Sequence, residues 1–256
     1  MFGAERALFF LNFIAEVALL CRLIQCKLYG IYKSLFLYWL VQATGGLALL
    51  LAGRGTWLYL YLYWVAQTLN IFMALYVVQD LFHIALAEHP AIASFGRRSV
   101  LAAMVLAAAV ALVGITLDAT VLPGHYLGIH RFLTFERSMN FLVLMFLLII
   151  SILLLWFPIK VRRNIAVYIS GFLLFAASRS FGLLLLNLLP QSATVIVSTL
   201  LLALTLLCLL IWIVGIRPEG ERATATPGYR RDPETMQRLS RQLDAINATL
   251  ARFVRG

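Results

Sequence analysis

The sequence predicts an all-α integral membrane protein: a seven-helix transmembrane bundle, amino terminus outside and carboxyl terminus in the cytoplasm, with a short helix after it. Three observations carry this. Of 256 residues, 62% are hydrophobic and 12% charged, where a soluble domain carries about a quarter charged residues. The apolar residues form long runs, and about 20 such residues span the hydrocarbon core as a helix. The basic residues flank those runs asymmetrically.

The runs fall near 6–24, 34–52, 56–79, 99–117, 138–157, 164–188 and 193–215. The first is expected to stay as a membrane helix, since Glu5 offsets Arg6 and no small-x-small cleavage site follows. Arg22, Lys27 and Lys33 separate the first two runs, Arg97 and Arg98 precede the fourth, and Lys160, Arg162 and Arg163 divide the fifth from the sixth. The opposite side carries only Arg6, Arg54, Arg131 and Arg137. The richer side is therefore cytoplasmic by the positive-inside rule, and a bacterial inner membrane is the expected location. Trp57, Tyr59, Tyr61, Tyr63 and Trp64 then form an interfacial belt at the outer end of the third run. The net charge of +10 follows this flanking pattern, so the expected partner is the lipid bilayer and no nucleic acid.

The second and sixth runs share a short pattern. Tyr32-x-Ser34-x-Phe36 recurs as Tyr168-x-Ser170-x-Phe172, and Gly46-Leu47 recurs as Gly182-Leu183 at the same offset. Parallel three-helix repeats around a linker helix occur in some transporters, and the Ala-rich fourth run would be that linker.

Residues 1–216 thus make the transmembrane domain. Residues 217–231, with Pro218, Gly220, Pro227 and Gly228, read as a flexible linker. Asp232-Pro233 then supplies an N-cap and a first-turn proline. Within 232–254, Met236, Leu239, Leu243, Ile246, Leu250 and Phe253 follow the alternating three-and-four spacing of a coiled-coil seam. The seam predicts a homo-oligomer or docking on a partner helix; the competing reading is an amphipathic helix lying on anionic lipid.

Ionisable groups inside the bilayer cost several kcal/mol unless paired or hydrated. Glu16 and Arg179 stand in mid-run at similar depth, with Gln42, Gln67 and Asn70 within about a turn of that level. These five form one expected polar cluster, either a small-molecule or ion site or a structural pair. No metal site is expected. His83, His89, His125 and His130 lack a dedicated ligand spacing. No cofactor is expected either: the lysines, Lys27, Lys33 and Lys160, all sit at run ends, so none offers a Schiff base in the seventh. Ser178 and Ser180 flank Arg179 without an assignable base. The expectation is a non-enzymatic sensor or assembly protein with a polar intramembrane site and a self-associating tail; the alternative is a small-molecule or ion transporter of 3+1+3 architecture.

Overall fold

Six helices long and apolar enough to cross a membrane dominate the chain, and the protein is an all-α membrane bundle. The computed structural model describes residues 2–53, 56–87, 127–156, 161–188, 194–225 and 233–255, with isolated positions between 92 and 109. The elements are α1 (Phe2–Gln25), α2 (Lys33–Ala52), α3 (Trp57–Ala85), α4 (Leu127–Trp156), β1 (Val161–Arg162), α5 (Arg163–Leu188), α6 (Thr194–Gly215), a 3-10 turn (Pro218–Glu221), β2 (Thr224–Ala225) and α7 (Pro233–Arg255). Helices α1 to α6 are the first, second, third, fifth, sixth and seventh apolar runs. The fourth run lies mostly outside the described residues.

The spanning helices carry apolar residues on both their buried and their exposed sides, as expected where one face meets protein and the other meets lipid. On α1, Leu19 and Leu23 are buried while Ile14 and Val17 are exposed. Successive helices pack side by side, α1 to α2, α2 to α3, α3 to α4, α4 to α5 and α5 to α6, and α1 closes the ring against α6. Small residues tighten the α5–α6 seam: a Cβ at Gly171 would lie 2.5 Å from Trp212 Nε1, and one at Gly182 would lie 2.3 Å from Leu201. Close approach through small residues is how helices associate without a hydrophobic driving force between them.

The bundle centre is aromatic. Tyr38 and Trp39 of α2, Phe172 and Phe175 of α5 and Trp212 of α6 meet mostly edge-to-face, with centroids 5.3 Å apart for Tyr38–Phe172 and 5.5 Å for Trp39–Trp212. Edge-to-face pairs put a positive ring edge on a negative ring face, worth about 0.5–1.5 kcal/mol beyond area burial.

The shared pattern of the second and sixth runs ends in unlike surroundings. Tyr32 and Tyr168 are both fully buried, in edge contact at 5.7 Å. Ser34 is buried but Ser170 is exposed, and Gly46 faces open space where Gly182 packs on Leu201.

Residues 217–225, expected as the start of a flexible linker, are folded onto the bundle. β1 and β2 pair antiparallel with Val161 opposite Ala225, and Arg163 N donates to Ala223 O at 2.9 Å. One buried side chain ties down its start: Asn164 Nδ2 donates to Arg217 O at 2.7 Å while its Oδ1 accepts from Arg217 N at 3.2 Å. A polar composition reads as a loop, and a buried amide partner makes it an ordered one. The remaining linker residues, 226–231, lie outside the described residues.

Candidate functional site

The intramembrane charge Arg179 stands on α5 one turn beyond Phe175, its guanidinium 6.0 Å from that ring's centroid. Its partner is Glu136 of α4, with Nη2 2.9 Å from Oε1, and the same nitrogen donates to Gln67 Oε1 of α3 at 3.1 Å. The side chains of Arg179 and Glu136 are 22% and 3% exposed. Burial makes the pair mutually dependent, because either charge alone would face hydrocarbon uncompensated.

Sequence reasoning expected Glu16 in this position. Glu16 is buried at 7% exposure on α1, but it makes no ion pair with Arg179. Gln67 is in the cluster by direct bonding. Asn70 is buried with Oδ1 unpartnered among the described residues, and Gln42 Oε1 is likewise unpartnered; neither is bonded to Arg179. The structure thus brings Gln67 and Arg179 together and leaves Glu16, Gln42 and Asn70 unbonded to them.

Glu136 was missed for a physical reason. Arg131, Glu136 and Arg137 depress local hydropathy, so the apolar run begins at 138, whereas α4 begins at Leu127. A signal did exist. Glu136 leads the buried series Met139, Val143, Leu147, Ile150 and Leu154, at spacings of three and four that mark one helix face.

A second polar network clasps one end of the bundle. Tyr32 OH donates to Glu221 Oε1 at 2.5 Å, Asn164 Nδ2 donates to the same oxygen at 2.6 Å, and Arg162 holds Oε2 at 2.9 Å. Beside it, Ser34 donates to Asp80 of α3 and shares a 3.0 Å hydrogen bond with Tyr168. Arg22 Nε reaches Ile216 O at 3.4 Å. Burial would raise the Glu221 carboxyl, but hydrogen bonds from Tyr32, Asn164 and Arg162, with the Arg162 charge, outweigh it and hold it below its ordinary value. Burial first, and then the hydrogen bond to Glu221, push the Tyr32 hydroxyl well above its own. Gly220 is part of this clasp, since a Cβ there would collide with the Asn164 amide.

The tail seam is partly occupied within the chain. Leu239 and Leu243 of α7 are buried, and Asn247 Oδ1 accepts from Ile92 N at 3.3 Å. Ile246 is 45% exposed. The side chains of Met236, Leu250 and Phe253 lie outside the described ones.

One face of α5 joins the two networks. Asn164, Tyr168, Phe172, Phe175 and Arg179 recur at spacings of four, four, three and four along that helix. Asn164 holds the segment after α6, Tyr168 bonds Ser34, the two phenylalanines pack on Tyr38 and Trp212, and Arg179 takes the ion pair. No model of a known protein family, no curated protein and no solved structure matches the chain.

Proposed function

We propose that the chain is a non-enzymatic receptor of a bacterial inner membrane that crosses the bilayer seven times, amino terminus outside. The Arg179–Glu136 pair is its ligand-responsive element, and the clasp at Glu221 is the first element of its cytoplasmic output. The observation that carries this is the continuous face of α5. A displacement of α5 by 1–2 Å, the usual scale of helix shifts in switching, is felt at once by the ion pair and by Asn164. A small molecule competing for Arg179 or Glu136 would supply such a displacement.

Seven crossings are supported by the directions of the helices. Asp80, near the end of α3, lies with Ser34 and Tyr168 at the starts of α2 and α5. Gln67, nearer the beginning of α3, meets Arg179 further along α5. Glu136 also meets Arg179, and α4 ends close in sequence to the start of α5. Hence α3 and α4 both end on the clasp side, which supports a further crossing between Ala85 and Leu127. The basic residues Arg22, Lys27, Lys33, Arg162 and Arg163 gather on the clasp side, which supports its being cytoplasmic.

In this reading α7 is the output helix. Leu239 and Leu243 keep it on its own chain at rest, and its release offers the seam from Met236 to Phe253 to a second copy or a partner helix. The transporter alternative draws on the repeated pattern, but Ser34 with Ser170, and Gly46 with Gly182, occupy unlike positions. That asymmetry favours the receptor.

The test places cysteines at Val161 and Ala225, which face each other in register, in a chain whose Cys21, Cys26 and Cys208 are replaced. Disulfide yield in native membranes is compared with and without Glu136→Gln. Coupling predicts at least a threefold change in yield. An unchanged yield in a folded Glu136→Gln protein removes the link between the pair and the clasp.

A further inference from the structure

Two acidic side chains are buried in the bundle among the described residues, and they are treated differently. Glu136 faces Arg179 at 2.9 Å. Glu16, 7% exposed in the middle of α1, forms no ion pair among the described residues. α1 packs against α2 and α6. α6 carries no charged residue, and its one titratable group is the Cys208 thiol. α2 brings the buried Tyr38 hydroxyl, while Lys33 is exposed at its first residue. A thiol and a phenol are both neutral at pH 7. Along α1 itself, Arg22 is spent on the Ile216 carbonyl, with Nε at 3.4 Å. An ionised Glu16 would therefore stand in hydrocarbon without the compensation that Glu136 receives.

One turn before Glu16, on the same buried face, stands Asn12 at 5% exposure. Its amide nitrogen spends both hydrogens, donating to Leu8 O at 2.9 Å and to Leu202 O of α6 at 3.0 Å. Those two carbonyls fix which end of the amide is oxygen. That oxygen, Oδ1, is enclosed and accepts no hydrogen bond among the described residues. Enclosure keeps outside molecules away from it, so its donor has to be a neighbouring side chain. A long side chain on a helix leans back over the turn before it, which brings Glu16 toward Asn12. The orphan acceptor needs a donor and the unpaired acid needs a proton; one proton meets both needs.

We propose that Glu16 is a proton-binding site inside the membrane, a carboxylic acid whose O–H donates to Asn12 Oδ1. The ligand is H+ itself. A metal cation gathers several oxygens around it, whereas a proton needs the single acceptor that Asn12 offers. Release of the proton leaves two acceptors facing each other, the carboxylate and Oδ1. Their repulsion falls on the amide that ties α1 to α6 at Leu202, so occupancy of the site sets the tightness of that seam. The site stands independently of the receptor reading, because it involves neither Arg179 nor Glu221.

The experiment uses the full chain in phosphatidylcholine vesicles at pH 7 and follows the infrared carbonyl stretch of protonated carboxylic acids, which stands apart from carboxylate and amide bands. One such band is expected. Glu16→Gln, which keeps a donor toward Asn12, should fold and lose the band. Asn12→Leu should shift it to higher frequency, as for an acid without an acceptor. Because Asn12→Leu also cuts the link to Leu202, a second measurement uses the unaltered chain. Dicyclohexylcarbodiimide, which adds to protonated carboxyls in apolar surroundings, should modify Glu16 and leave the ionised Glu136 unmodified, with no protection by added sodium chloride. Four results overturn the proposal: no protonated band attributable to Glu16, an unshifted band in a folded Asn12→Leu protein, no carbodiimide adduct on Glu16, or protection by sodium, which would make the occupant a metal cation.

Discussion

Glu136→Gln removes the charge that faces Arg179 and keeps the shape of the side chain. The two groups are 2.9 Å apart, with Glu136 almost fully enclosed at 3% exposure and Arg179 at 22%. Unit charges about 4 Å apart attract by about 4 kcal/mol at an effective dielectric near 20. Stripping one partner from a buried pair costs about 3–5 kcal/mol. The partial exposure of Arg179, and its remaining bond to Gln67, set the expectation at the low end, about 3 kcal/mol. The double variant Glu136→Gln/Arg179→Gln exchanges the ion pair for two amides and should recover about 2 kcal/mol of that loss, since residues in contact are non-additive. Reversible unfolding in mixed micelles, driven by rising SDS fraction and followed by far-UV circular dichroism, measures these two variants and the single Arg179→Gln that completes the cycle. A loss under about 1 kcal/mol in the single variant, or a coupling energy under about 0.5 kcal/mol, would refute the reasoning. A Glu16→Gln variant that couples to Arg179 more strongly than Glu136→Gln does would return the pairing to the one the sequence suggested.

Three further outcomes follow from the same contacts. Gly220→Ala forces a Cβ into the Asn164 amide and should lower the Val161–Ala225 disulfide yield at least threefold, without changing unfolding of the spanning helices. Glu221 is held below the ordinary carboxyl value of 4.5, so its contribution is complete above that pH and is lost as pH falls through the lowered value. Thiol oxidation itself slows as pH falls, because the thiolate is the reacting form, so the yield is divided by that of a Glu221→Gln chain carrying the same two cysteines; the ratio should be flat from pH 8 to 5 and fall only below about 4.5. On α7, Leu243 is 4% exposed and Ile246 45%. Leu243→Ala should cost about 2–3 kcal/mol of tail docking and Ile246→Ala under about 0.5, read as the rate of limited proteolysis between 217 and 232.

How legible the site was depended on contrast in the sequence. Arg179 stands out because it interrupts an apolar run, and Gln67 lies at the depth that the run lengths imply. The clasp was invisible, because its members come from Tyr32, Arg162, Asn164 and Glu221, each unremarkable in its own segment. The seam of α7 was readable because polar residues alternate with Leu239 and Leu243. The same three-and-four spacing on α4 is masked where the lipid face is apolar too.

The membrane class and six of the seven expected runs followed from composition and run length alone, because hydrocarbon demands both of any helix that crosses it. The position of Arg179 within an apolar helix followed as well. Only the tertiary structure decided which acid neutralises it. Glu16 and Glu136 are both buried, and the choice turns on which helix stands beside α5. That neighbour is α4, and packing put Glu136 against the guanidinium, while Glu16 stands on α1, which packs against α2 and α6.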